Sequence, residues 1–215
     1  MTGVHITGVG LTGFGKHSDT PLADLGVAAA ENALADAGIG YDAVGEVFTS
    51  SALAGPQTGL AVAHRLGRTG IPVTATESAS AGGMVALRHA VWAVASGRCS
   101  TALAIGYEKT TALEPGGVVP AAVGFWDHFP PQLHYAIEAA HWLYETQCGP
   151  EVIAAVAAKS YNQARLNPLA ARRNPERVTV DDVLGARVVA EPLTKMMCHA
   201  SVSYTHLTLP TNREV

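Results

Sequence analysis

Pro72–Met84 reads P-V-T-A-T-E-S-A-S-A-G-G-M and runs straight into a helical stretch, Val85–Ser96. Pro72–Thr76 is rich in β-branched residues and predicts a strand. The small residues after it predict a tight turn, and then the helix begins. Ser80 is thereby placed at or near a helix N-terminus, where unpaired N–H groups and the positive end of the helix dipole favour an anion. A nucleophile or the oxyanion of an acyl group is stabilised in such a place. Ala79, Ala81, Gly82 and Gly83 would let a bulky substrate come close to the backbone. Strand, turn and helix follow one another in this way throughout α/β proteins, so the pattern alone leaves a purely structural turn open.

Outward from this segment the chain alternates. Val4–Val9 predicts a strand, and Pro21–Ala37 a helix with Leu22, Leu25, Ala29, Ala33 and Leu34 at helical spacing, stopped at Gly38. Glu46–Ser50 is the next strand, Thr58–Leu66 the next helix, and Ile71–Thr76, Val85–Ser96 and Thr101–Gly106 continue as strand, helix and strand. Strands separated by helices predict right-handed βαβ units and a mostly parallel sheet, an α/β fold. Gly8, Gly10 and Gly13 meet the spacing of a dinucleotide fingerprint. No helix begins there, however, and no acidic residue ends the second strand, which reads F-T-S-S, so that match is incidental. Residues 108–131 are rich in Gly and Pro, and helices are predicted over Gln132–Gln147 and Pro150–Leu166.

Hydrophobic residues make up 48% of the 215 positions and charged ones only 15%, which predicts a large buried core. A formal net charge of −4 sets aside no basic face for nucleic acid or an anionic membrane. No apolar run reaches the ~18–20 residues that span a bilayer. The N-terminus lacks a signal-peptide pattern, so the cytoplasm is the expected compartment. Cys99, Cys148 and Cys198 have no metal-ligand spacing and are expected to be free, mostly buried thiols; His128, His134 and His141 set no metal site. His89 is nine residues along the helix from Ser80, about 13 Å, too far to be its base.

Residues Glu77–Met84 resemble the active-site elbow of the thiolase superfamily, above all the sterol-carrier-protein type. There an acidic or amide residue precedes the nucleophilic cysteine by three positions and a short Ala/Ser/Gly run follows. Glu77 takes the first place, and Ser80 stands where that cysteine is expected. The resemblance continues in A-L-R-H-A-V-W-A-V-A-S-G-R (Ala86–Arg98), T-A-L-A-I-G-Y-E-K (Thr101–Lys109), A-A-V-A-A-K-S-Y-N-Q-A-R-L-N-P-L-A (Ala154–Ala170) and V-V-A-E-P-L-T-K-M-M-C (Val188–Cys198). It implies a thiolase-like N-terminal βαβαβαβ half of a five-layer αβαβα sandwich. A helical loop-domain excursion is expected over about 108–178, with the C-terminal half, and its catalytic histidine and second cysteine, missing. It also implies acyl-CoA and CoA as substrates with no bound cofactor and no metal, and a homodimer. Phe125 and Trp126 in the excursion would line an acyl or sterol slot, or else pack the excursion onto the sheet; Arg165, Arg172, Arg173 and Arg177 would meet a CoA phosphate, or else form a solvated face.

The last residues read differently. Val202–Val215, V-S-Y-T-H-L-T-L-P-T-N-R-E-V, resembles at its start an in-frame translation of a transposon-end adapter used in sequencing libraries. A family member would continue after Ser201 with an Asp-Gly-Ala-type strand. Residues 1–201 are therefore taken as the thiolase-like domain and 202–215 as a non-native tail, set aside from the fold. With half the fold absent, residues 1–201 alone are expected to be aggregation-prone.

Serine in place of cysteine bears on the chemistry. A thiol at a helix N-terminus ionises readily and suits reversible thioester exchange. A hydroxyl is far less acidic, and the dipole's contribution of ~0.3–2 kcal/mol does not close the gap. Three functions follow from the resemblance. The first is a thiolase-like acyl-CoA C-acyltransferase of the acetyl-CoA acetyltransferase or 3-ketoacyl-CoA thiolase type, in lipid or sterol metabolism. The second is a retro-aldolase, a carbon–carbon lyase acting on side-chain CoA thioesters with a small OB-fold partner protein, in which Ser80 shapes the pocket. The third is a non-catalytic acyl-CoA-binding subunit.

Overall fold

The computed structural model describes residues 3–52, 57–109, 131–199 and 203–211. The chain divides into two units, Met1–Ala112 with Val202–Val215, and Leu113–Ser201.

The first unit has the expected alternation: β1 (His5–Leu11), α1 (Leu22–Ala37), β2 (Glu46–Ser50), α2 (Thr58–Leu66), β3 (Val73–Thr76), α3 (Gly82–Ala95) and β4 (Ala102–Lys109). β2 is parallel to both β3 and β4 and is buried along its whole length. Its side chains alternate between two helical layers, as a strand's period of two requires. Val47 shares one face with Leu103, Ile105 and Tyr107 of β4, covered by Ala29, Ala33 and Leu34 of α1 and Val62 of α2. Phe48 shares the other with Ala102 and Ala104, covered by Ala86, Ala90, Ala93 and Val94 of α3.

Gly8 and Gly10 belong to the core of β1. A Cβ on Gly10 would lie 2.2 Å from the Ala29 carbonyl oxygen and 2.5 Å from the Ala33 nitrogen, and one on Gly8 would lie 2.3 Å from the Ala33 oxygen. These glycines let α1 lie directly on the strand, which gives the G-x-G a packing role in place of a phosphate-binding one. α1 ends where Gly38 takes φ 66°, with the Ile39 N–H bonded back to the Leu34 oxygen at 3.1 Å.

The sheet order is β1-β7-β4-β2-β3, where β7 is Ser203–Thr211, antiparallel to β1 and to β4. Ser203–Thr211 therefore pair as a strand inside this sheet. The physical reason is the pattern Y-T-H-L-T-L, which alternates like a strand and fits between two strands that otherwise have no neighbour on that side. Pro210, which has no N–H to give, pairs where the β1 register slips between Ile6 and Gly8.

In the second unit, α4 (Pro131–Thr146) and α5 (Glu151–Ala164) lie close to their expected positions. The sequence reading missed α6 (Val180–Leu184) and the hairpin β5 (Val188–Ala190) and β6 (Leu193–Thr194). Val178 and Val183 pack with Ala154 and Ala158 of α5 as the core of this unit. The Thr179 hydroxyl and the Asp182 carboxylate form a reciprocal cap on α6, and that bonding holds the exposed Asp182 carboxyl below its ordinary pKa.

Candidate active site: the turn before α3

α3 begins at Gly82, three residues before the expected start, because Ala79–Ala81 form a single 3₁₀ turn that feeds directly into it. Ser80 is the middle residue of that turn and is exposed. Its neighbour Ala79 has φ 44°, a left-handed conformation that a Cβ disfavours by roughly 1–2 kcal/mol. Two bonds hold it: the Ala79 N–H donates to Glu77 Oε1 at 2.5 Å, and the Ala81 N–H donates to the Ser78 oxygen at 2.9 Å. No side chain caps α3, so the N–H groups of its first turn are left to whatever lies beside Ser80.

The turn stands at the carboxyl ends of the three parallel strands, the edge where open α/β sheets place their ligands. Ser50 ends β2, in register with Thr76 of β3 on one side and Gly106 of β4 on the other. Its hydroxyl is fully buried with no hydrogen-bond partner among the described residues, and it fills the space where a Gly82 side chain would stand, 2.0 Å from the position of that absent Cβ. Thr76 Oγ1 donates to the Thr49 carbonyl at 3.2 Å. At the end of β4, Glu108 Oε2 accepts from the Ser51 hydroxyl at 3.1 Å and from the Ala52 N–H at 2.9 Å. Lys109 Nζ donates to the Ser18 and Thr20 carbonyls at 3.1 and 2.9 Å. One strand end thus fastens the loops leaving β1 and β2. Burial pushes the Tyr107 phenol above its ordinary pKa, and the Thr49 hydroxyl draws it part of the way back.

Ser80 therefore stands where the sequence placed it. Gly82 packs on Ser50, and Gly83 is the half-buried second residue of α3. Phe125 and Trp126 lie outside the described residues. His89 stacks on Phe48 with ring centroids 5.9 Å apart and meets Trp92 edge-on at 5.5 Å. Ser50, Glu108 and Lys109 escaped the sequence reading as members of the site. Their signal was the run of polar residues at the ends of buried strands, T-S-S and Y-E-K.

Of the four arginines expected together, Arg172 is tied down in the second unit. It donates to the Tyr161 hydroxyl at 2.7 Å and to the Cys198 carbonyl at 2.9 Å. The three cysteines are free, but Cys148 is exposed, against expectation, because it sits in the turn between α4 and α5. Burial, reinforced by the Glu46 carboxylate, pushes the half-buried Cys99 thiol above its ordinary pKa. Among the described residues no helix is long and apolar enough to cross a membrane.

The family profile "Thiolase, N-terminal domain" matches residues 4–199. An acetyl-CoA acetyltransferase of Methanothermobacter thermautotrophicus is 31% identical over 92% of this chain and 54% of its own length. The benzoylsuccinyl-CoA thiolase subunit BbsB of Thauera aromatica is 32% identical over 91% of this chain and 51% of its own. The chain thus spans about half the length of these curated relatives. Among solved structures, the Ltp2-ChsH2(DUF35) aldolase superposes with a TM-score of 0.82 at 22% identity, over 97% of this chain and 55% of that one.

Proposed function

The chain belongs to the thiolase family through its N-terminal domain, and from that premise we propose that it is the nucleophile-bearing part of a CoA-dependent acyltransferase, with Ser80 as the acyl acceptor. The observation that carries this reading is the placement of Ser80. It is exposed in a turn built on a left-handed Ala79, directly before the uncapped N-terminus of α3. In the proposed step the Ser80 oxygen attacks the thioester carbonyl of an acyl-CoA. The carbon–sulfur bond breaks, an oxygen ester forms, and CoA leaves as the thiol with the hydroxyl proton. The N–H groups opening α3 support charge on the oxyanion during that step. Glu77, the nearest carboxylate in sequence, already accepts the Ala79 N–H. An acetyl-CoA acetyltransferase and a benzoylsuccinyl-CoA thiolase subunit, each at about one-third identity, support the reaction class.

A second reading rests on the hydroxyl itself. Serine in place of a thiol weakens thioester exchange, and the Ser80 hydroxyl makes no hydrogen bond to another described residue. A retro-aldolase that uses Ser80 only to shape its pocket fits these facts, and the likeness in fold to an aldolase agrees with it. In that reading a small partner protein completes the enzyme.

Acyl trapping separates the two. The wild-type protein and Ser80→Ala and Ser80→Cys variants are incubated with acetyl-CoA and their intact masses and tryptic peptides measured. The transferase reading expects one acetyl group on the Ser80 peptide of the wild type, none in Ser80→Ala, and faster, hydroxylamine-labile labelling of Ser80→Cys. An unlabelled wild type beside a labelled Ser80→Cys would overturn acyl transfer to Ser80 and favour the lyase.

A further inference from the structure

The turn that carries Ser80 hangs from the end of β2 on both of its sides. On entry, Thr76 Oγ1 donates to the Thr49 carbonyl at 3.2 Å, which ties the last residue of β3 to β2. On exit, the Ser50 hydroxyl stands 2.0 Å from where a Cβ of Gly82 would be, so the first residue of α3 rests on the last residue of β2. Ser50 is 3% exposed. A close-packed contact of this kind transmits a displacement and does not absorb it.

Whatever fixes the end of β2 therefore also sets the turn. The ladders of β2 with β3 and with β4 both end at Ser50. The next two residues are taken up by the Glu108 carboxylate, whose Oε2 accepts from the Ser51 hydroxyl at 3.1 Å and from the Ala52 N–H at 2.9 Å. Its other oxygen, Oε1, accepts from the Lys109 N–H at 3.0 Å, so the carboxylate is held to its own backbone. β3 and β4 flank β2 and lie about 10 Å apart. Glu108 thus reaches Ser80 through the end of β2 and not by contact.

We propose that Glu108 is a positioning residue of the candidate site. Its carboxylate fixes Ser51 and Ala52, and through Ser50 and Gly82 it sets the first turn of α3 against Ser80. The inference rests on the reading that places the chemistry at Ser80.

Alkylation of a thiol at position 80 tests this without any acyl transfer. In a Ser80→Cys parent, the pH dependence of iodoacetamide labelling gives the ionisation midpoint of that thiol, with its peptide told apart by mass from those of Cys99, Cys148 and Cys198. Thermal denaturation shows which variants fold. The sign of the shift decides. Acting by position, Glu108 keeps the α3 N-terminus on the thiolate, so Glu108→Ala raises the midpoint by about half a pH unit. Acting by charge, it would do the reverse, since removing a negative group lowers the midpoint. Ser51→Ala changes no charge, gives up one of the carboxylate's bonds and raises the midpoint by less; it carries the test if Glu108→Ala does not fold. Glu108→Gln keeps an acceptor oxygen and stays within about 0.2 of the parent. Glu77, the carboxylate on the turn itself, is common to every variant and cancels. An unchanged or lowered midpoint in either alanine variant that folds would overturn the proposal, as would a midpoint raised as far by Glu108→Gln as by Glu108→Ala. An unlabelled Ser80 in the acetyl-CoA experiment would end the transferase reading and leave these shifts to be judged alone.

Discussion

α1 and α3 cover opposite faces of one sheet with nearly the same material, yet they are finished differently. Both bury a stripe of small residues: Ala23, Ala29, Ala30 and Ala33 on α1, and Ala86, Ala90 and Ala93 on α3. α1 is closed by Gly38 at its C-terminus, and like α3 it has no side-chain cap at its N-terminus. Its outer face is polar, and two of its side chains reach the free edge of β1, with Asp36 Oδ2 accepting the Val9 N–H at 2.8 Å and Asn32 donating to the Leu11 oxygen at 3.2 Å. Those contacts satisfy an edge strand's backbone. α3 keeps its uncapped N-terminus at the candidate site, and its outer face carries Met84, 68% exposed, and Trp92, 55% exposed. One helix completes the sheet, while the other offers both a chemical end and an unsatisfied apolar side.

The largest test of this contrast is backbone against side chain. Gly10→Val sets a Cβ against the Ala29 and Ala33 backbone of α1, with no flexible atom to yield. A loss of about 3 kcal/mol or more is expected, read as a fall in denaturation midpoint or a failure to fold. Retention of the wild-type midpoint would show that α1 does not rest on β1 in this way. At α3 the corresponding position is forgiving. Gly82→Ala meets only the Ser50 side chain, so its cost, about 1–2 kcal/mol, is relieved when Ser50→Ala is added. Ser50→Ala alone is neutral or slightly stabilising, since it removes a buried hydroxyl that has no partner. A double variant no better than Gly82→Ala would deny the contact.

How much of this was legible before the structure follows the same division. Alternation and helical spacing gave every element from β1 to β4, because each is written in local periodicity. Ser80 was legible as well, since a strand, a small turn and a helix are read in consecutive residues. Ser50, Glu108 and Lys109 were not, because their importance comes from register between strands far apart in sequence. β7 was not legible as a strand. Its text has no likeness to the preceding blocks, and only the position between β1 and β4 makes it a strand. The packing role of Gly8 and Gly10 was hidden for the same reason, since a G-x-G reads alike under a helix and around a phosphate until the helix is placed.

The smallest expected effect concerns the outer face of α3, where Arg88 lies over the Trp92 ring, 4.9 Å from its centroid. This contact covers part of the indole but leaves Met84 bare. Replacing both with lysine, Met84→Lys and Trp92→Lys, removes exposed apolar surface without touching the buried alanines, so stability should change by no more than about 0.5 kcal/mol. Self-association should fall: light scattering of the variant would show a smaller mean mass at equal concentration, whereas Glu31→Lys on the polar face of α1 leaves it unchanged. If both substitutions behave alike, the two helices present equivalent surfaces and differ only in that α3 begins at the candidate site. If only the α3 variant disperses, the apolar side of α3 is what drives the chain to associate, and the site-bearing helix is also the sticky one.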